Sequence, residues 1–302
     1  MTSLAPKTAY LAPDGFLDEL RTELGEADAT DHGRLVVSTR PFESMAWAAN
    51  TWLEPQLIEI ASIKDAARKL KAIQRNWVPY SFAHHRRVAL IQSELPHVSA
   101  KPLVFGAPVP KAPLGSFTLI EPNLMLASAR CSSPFPNGEP QFVEDKEGPP
   151  NRAYLKLWEA LTVVDQRPQP GAHCLDLGAS PGGWTWVLAG LGARVIAVDK
   201  APLDPRIAAM PGVSERRESA FGLDPKAVGP VDWLCSDVIC YPARLLTLVR
   251  RWLDSGMARR FICTVKFQGE TDFEAIRAFK AIEGSRLMHL HHNKHELTWV
   301  KL

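Results

Sequence analysis

Cys174-Leu-Asp-Leu-Gly-Ala-Ser-Pro-Gly-Gly-Trp-Thr-Trp186 decides the fold of the second half of this chain. An apolar run ends at Leu177, a glycine-rich turn follows, and a helix is expected from near Trp184. Glycine has no Cβ, so the backbone can come close to a ligand there. In open α/β sheets such crevices lie at the carboxyl ends of strands. A dinucleotide fingerprint would want glycine at 178, 180 and 183, and Ser180 followed by Pro181 breaks it. Asp176 stands before the glycines, and Asp199 ends the next apolar run, Arg194-Val-Ile-Ala-Val-Asp199. A carboxylate at that second strand end can accept both hydroxyls of a ribose. A short turn with no phosphate to cradle suits S-adenosylmethionine, whose sulfonium and amino acid group need acidic and backbone partners. The bland alternative is an ordinary tight β–α turn.

Working outward, strands are expected over 173–177, 194–198, 232–236, 260–265, 287–290 and 296–300, and helices over 152–164, 184–191, 241–254 and 271–283. Alternating strands and helices predict a mostly parallel α/β sheet. Upstream, residues 101–150 hold 10 of the chain's 25 prolines. Proline fixes φ and donates nothing to a ladder, so 96–150 reads as a proline-rich linker with short edge strands. The first 95 residues show a strand–helix rhythm. Strands are expected at 8–12, 34–38, 56–60 and 88–92, with one helix over 14–24 and a second capped by Ser62. That β-α-β-β-α-β order predicts a small α+β ferredoxin-like domain. Boundaries are thus expected at 1–95, 96–150 and 151–302.

Composition narrows the class. The chain has 302 residues, 46% apolar and 23% charged, as in a globular protein with a sizeable core. No run approaches the ~18 apolar residues of a membrane span, and Met1 to Lys7 lacks the pattern of an export signal. Five scattered cysteines without a Cys-x-x-Cys pair point to a reducing, cytoplasmic compartment. Cys235 and Cys240 read as buried packing. His291, His292 and His295 have no partner carboxylate or cysteine at ligand spacing, so no metal is expected. The net charge is +2, but residues 1–60 hold 4 basic and 10 acidic side chains, whereas 61–111 hold 9 basic and 2 acidic. The basic stretch, Lys64, Arg68, Lys69, Lys71, Arg75 and His84 to Arg87, is either a phosphate-gripping surface or a solvated helix face.

The segment Leu175 to Thr185 resembles the cofactor loop of FtsJ-type RNA ribose 2′-O-methyltransferases, and within that family the enzymes of bacterial large-subunit rRNA. The resemblance covers roughly residues 115–302, including Ser132-Ser-Pro-Phe135 and Cys235 to Pro242. It implies a Rossmann-like methyltransferase fold, S-adenosylmethionine as cofactor and RNA, with rRNA foremost, as substrate. It also implies a Lys-Asp-Lys-Glu tetrad, matched in order by Lys156, Asp237, Lys266 and Glu296. The cofactor contacts it implies are Asp176, Gly178, Ser180, Pro181, Gly182, Gly183, Trp184, Asp199 and Asp237. Ser219 takes the place of the acid expected against adenine, and the amino-terminal region is shorter than the family's RNA-binding module. Lys266 is the candidate proton acceptor and Lys156 the second cation. Asp237 would hold a lysine, and Glu296 would orient Lys266 or the ribose. Two other readings stay open: a non-catalytic RNA-binding protein on the same fold, and a methyltransferase of a small molecule or protein. The sequence leaves the oligomeric state undetermined.

Overall fold

The computed structural model describes residues 5–25 and 29–302. Met1 to Leu4, part of the segment read above for an export signal, lies outside them. The chain forms two compact units, divided between Gln141 and Phe142.

In the first unit β1 (Thr8–Leu11) pairs antiparallel with β3 (Leu35–Ser38) and β4 (Asn50–Leu53). β2 (Thr30–His32) and β9 (Arg130–Cys131) complete a five-stranded sheet, and α1 (Leu17–Leu24) follows β1. A second sheet runs β5-β8-β7-β6, from β5 (Gln56–Glu59), β8 (Leu124–Ser128), β7 (Gly115–Glu121) and β6 (Trp77–Pro79). The helices α2 (Ile63–Ile73) and α3 (His85–Ser93) share a core with that sheet, with Leu70, Val88, Ile91, Phe117 and Met125 all buried. Ser62 caps α2, its hydroxyl accepting from Asp65 N at 3.1 Å.

Three sequence-based expectations fail here. Strands from the first 95 residues divide between two sheets, so a single ferredoxin-like sheet does not form. Residues 88–92 are helical, because Val88, Ile91 and Leu95 are buried at helical spacing while Ala89 and Leu90 face solvent. Residues 96–150 are also no mere linker. β7 and β8 are the two central strands of the second sheet, and the prolines sit around them rather than in them, with Pro122 at their turn.

The second unit is a seven-stranded sheet in the order β12-β11-β10-β13-β14-β16-β15. Its strands are β10 (His173–Leu177), β11 (Arg194–Asp199), β12 (Val213–Arg217), β13 (Val231–Ser236), β14 (Ala258–Lys266), β15 (Ser285–Met288) and β16 (Glu296–Lys301). β16 alone runs opposite to the other six strands. The helices are α4 (Tyr154–Val164), α5 (Gly183–Gly190), α6 (Pro205–Ala208), α7 (Pro225–Val228), α8 (Pro242–Ser255) and α9 (Phe273–Lys280). The chain leaves β10 toward β11 on one side and returns to β13 on the other, and this reversal opens a crevice at the carboxyl ends of β10 and β13. The Rossmann-like architecture expected for the second half is the one observed.

Candidate active site

Strand register assembles the charged cluster. β14 pairs antiparallel with β16 so that Lys266, the last residue of one, stands opposite Glu296, the first of the other. Directly opposed residues of an antiparallel pair share a face. Asp237 follows the last residue of β13, which lies beside β14. Lys156 comes from the first turn of α4, far away in sequence. Its Nζ lies 2.8 and 3.0 Å from the two carboxylate oxygens of Asp237, and 3.0 Å from Glu296 Oε1. Lys266 Nζ lies 3.0 Å from Asp237 Oδ1 and donates to the Asp237 carbonyl at 2.6 Å. Side-chain exposure is 12% at Lys156, 15% at Asp237, 17% at Lys266 and 9% at Glu296, so water screens these pairs little. Burial presses the Lys156 pKa down, but the charges of Asp237 and Glu296 outweigh it and hold this amine above its ordinary value. Lys156 is therefore a permanent cation at neutral pH. All four residues read as a tetrad are brought together.

The glycine turn lies beside them. Gly178 has φ +78°, and a Cβ there would fall 2.6 Å from Val238 Cα, so the turn and the loop after β13 touch backbone to backbone. Gly182 has φ +120° and caps α5; a Cβ on it would meet Ile207. A Cβ on Gly183 would fall on Asn151 Oδ1. These glycines allow a close approach that no other residue permits. Asp199 ties the turn down, its Oδ2 accepting from Ser180 N at 3.1 Å and Oδ1 from Ala201 N at 3.0 Å. Each oxygen keeps a second lone pair for a ligand. The Ser180 hydroxyl donates to Pro202 O at 2.7 Å, and Pro181 O accepts from Asp204 N at 2.9 Å. Asp176 is wholly buried, with Oδ2 accepting from the Thr185 hydroxyl at 2.6 Å and Oδ1 without a partner. Burial pushes its pKa up to about 7, helped by the charges of Asp237 and Asp199.

Trp184, expected at the donor, is buried. It is 3% exposed, and its indole donates to Ala153 O at 3.0 Å. Trp186 packs between Tyr154 and Trp158, with centroids at 5.4 and 5.9 Å. Burying a tryptophan ring stabilises by about 4–6 kcal/mol, so these side chains lock α4, and Lys156 with it, against α5. Ser219 precedes a single 3-10 turn, Ala220–Gly222, beyond the end of β12, and contributes no side-chain cap to it.

One positioning residue was not singled out from sequence. Glu159, three residues after Lys156 on α4, is 1% exposed. Its carboxylate accepts from His291 N at 2.7 Å and His292 N at 2.9 Å, and lies 2.6 Å from His292 Nδ1. It thereby ties the loop that leads into Glu296 to the helix that carries Lys156. His295 instead meets the Thr271 hydroxyl at 2.7 Å. Among the described residues no group of three or more His, Cys, Asp or Glu is placed to hold a metal ion, and no helix is long and apolar enough to cross a membrane. All five cysteines are free, and burial pushes the Cys235 and Cys240 thiols up.

A glycine turn that admits no Cβ, a strand-end carboxylate with spare lone pairs and an adjoining cluster of two amines and two acids together suit a group-transfer site. Residues 149–288 match the model of the FtsJ-like methyltransferase family. The chain is 38% identical over 172 residues to the Ribosomal RNA large subunit methyltransferase M of Halorhodospira halophila, covering 54% of this chain and 50% of that protein. It is 36% identical over 186 residues to the protein of that name from Alkalilimnicola ehrlichii, covering 57% and 51%. The chain spans about half the length of the curated relatives it matches. Among solved structures, Burkholderia thailandensis 1,6-didemethyltoxoflavin-N1-methyltransferase is similar at a TM-score of 0.36 and 19% identity, over 50% of this chain and 78% of that one. The similarity to the FtsJ-like methyltransferase family thus falls within the carboxy-terminal unit, over residues 149–288.

Proposed function

We propose that this unit methylates the 2′-hydroxyl of a ribose in RNA, with large-subunit rRNA as the substrate and S-adenosylmethionine as the methyl donor. The observation that carries the reading is the buried contact of Lys156, Asp237, Lys266 and Glu296 at the strand ends beside the glycine turn. The donor fits the residues present. Gly178 and Gly182 form a cradle that a Cβ would fill, and Asp199 offers free lone pairs to ribose hydroxyls. The first-turn N–H groups of α5, without intrahelical acceptors, suit a carboxylate. When bound, the donor supplies a methyl group on a cationic sulfur.

Lys266 takes the proton of the attacking 2′-hydroxyl on Nζ, which requires an uncharged amine at that moment. Lys156 remains charged, because Asp237 and Glu296 hold its proton, and it steadies the oxygen as negative charge develops. Asp237 bridges the two amines and fixes their separation. Glu296 touches Lys156 rather than Lys266, so its role is to hold the permanent cation in place. The exposed basic side chains of α2 and α3, Lys64, Arg68, Lys71 and Arg86 among them, supply phosphate contacts that position without reading sequence. The five free thiols suit a reducing cytoplasm, where such RNA resides.

The test is to incubate the protein with methyl-labelled S-adenosylmethionine and either naked large-subunit rRNA or assembled subunits, then digest to nucleosides. Label in a 2′-O-methylated nucleoside supports the reading. Label in a base, in protein or in a small molecule alone refutes it.

A further inference from the structure

Between β13 and α8 the loop Val238-Ile239-Cys240-Tyr241 is held firmly and yet displays two large apolar side chains. Its backbone is fixed at both ends. Lys266 donates to the Asp237 carbonyl at 2.6 Å, and Val238 abuts Gly178. The Tyr241 carbonyl accepts from Arg244 N at 3.0 Å and Leu245 N at 3.2 Å as α8 begins. Side chains alternate along it. Cys240 turns inward at 6% exposure, whereas Ile239 is 77% and Tyr241 64% exposed. Ile239 is the most exposed large apolar residue among those described. Scattered single apolar residues on a surface are ordinary. These two stand together on a pinned loop, two and four residues past Asp237, which belongs to the charged cluster. The helix that follows carries positive charge only, as far as Leu253. No Asp or Glu occurs from Val238 to Leu253, while Arg244, Arg250 and Arg251 do, and Arg244 lies over the Phe221 ring at 3.8 Å.

We propose that Ile239 and Tyr241 form a stacking platform for an unpaired base of the RNA strand, next to the ribose presented to Lys156 and Lys266, with Arg244 beside the phosphate. The proposal rests on the ribose-methylating reading above. A 2′-hydroxyl is reached most readily where the strand is single and its bases are splayed onto aromatic side chains. The positive charge of that helix disfavours an acidic or purely apolar partner and matches a polyanion. A platform whose backbone is already fixed loses little freedom on binding.

The test uses the full chain, fluorescein-labelled single-stranded RNA for anisotropy, and large-subunit rRNA for kinetics. Both side chains are exposed, so Tyr241→Ala and Ile239→Ser keep the wild-type melting temperature. Loss of one stacked base weakens RNA affinity and raises KM for RNA about ten- to hundredfold. The maximal rate and the dissociation constant for S-adenosylmethionine stay within about twofold of wild type, and Tyr241→Phe behaves as wild type. RNA affinity unchanged in Tyr241→Ala overturns the proposal. So does Tyr241→Phe as weak as Tyr241→Ala, which would mean a hydroxyl contact rather than stacking. Concentration-dependent dimerisation abolished by Ile239→Ser, with RNA affinity intact, also overturns it and assigns the patch to a second copy of the chain. If RNA binding falls as expected but wild type methylates no ribose, the platform stands and the functional reading falls.

Discussion

Lys156→Met keeps the apolar stem and removes the charge that separates two acids. The Asp237 and Glu296 oxygens lie 2.8 and 3.0 Å from the same Nζ. They are therefore at most about 5.8 Å apart, and at an effective dielectric of about 20 two like charges at that distance repel by about 3 kcal/mol. That repulsion favours uptake of a proton by the pair once the lysine charge is gone. Lys266 remains 3.0 Å from Asp237 and balances one of the two charges. The variant should therefore be about 3 kcal/mol less stable than wild type at pH 8 and regain most of that as pH falls to 5. The sign follows from proton binding. The variant's native state holds a proton that its unfolded state releases, so its stability falls as pH rises. In wild type the raised Lys156 pKa acts in another window. Its stabilisation is complete below the ordinary lysine value of 10.5 and is lost only as pH rises beyond it. Urea unfolding followed by tryptophan fluorescence, at steps between pH 5 and pH 8, measures the difference. A deficit equal at both ends of that range would refute the coupling of the two acids through Lys156.

Three further outcomes follow from the crevice. Gly178→Ala forces a Cβ to 2.6 Å from Val238 Cα at φ +78°, at a cost of about 1–3 kcal/mol. Calorimetry should show S-adenosylmethionine binding weakened at least tenfold, and an unchanged dissociation constant would exclude the turn from the donor site. Asp199→Ala removes the acceptor for Ser180 N and Ala201 N as well as for a ribose, so donor affinity should fall about tenfold or more. Equal affinity by the same titration would contradict the ribose assignment. Asp176 has its pKa raised to about 7, so burying it costs stability in full above that pH, and the cost shrinks as pH falls below 7 and is gone only below the ordinary carboxylate value of 3.8. Asp176→Asn should gain on wild type in melting temperature from pH 5 to pH 8, and a constant difference across that range would show that Asp176 does not titrate there.

The second unit was largely legible because β10, β11, β13, β14 and β16 are apolar runs, as strands buried on both faces must be. β12, Val-Ser-Glu-Arg-Arg, is an exposed edge strand with no such run and was not anticipated. In the first unit the short apolar run from Val88 to Ile91 fits helix and strand alike, and burial at i, i+3 and i+7 decided for helix. β7 and β8 were hidden by averaging composition over a proline-rich window, although the prolines mark their edges. In the site, Lys266 and Asp237 were visible as charges at the ends of apolar strands. The contact between Lys156 and Glu296 spans too much sequence for any spacing rule and came through resemblance. Glu159 did leave a signal. It sits among Leu157, Trp158, Ala160 and Leu161 on a helix with few polar residues, and a carboxylate there must find donors. Trp184 was expected at the donor, but its indole is spent on Ala153.

The central claim is that Lys266 accepts a proton from a ribose hydroxyl while the donor is held by other residues. Its most direct test is single-turnover methyl transfer by Lys266→Ala on large-subunit rRNA at saturating S-adenosylmethionine, with donor affinity measured on the same sample. Affinity close to wild type together with a transfer rate lowered by about 10²–10⁴ is the expected result. Transfer at the wild-type rate with the donor bound would contradict it.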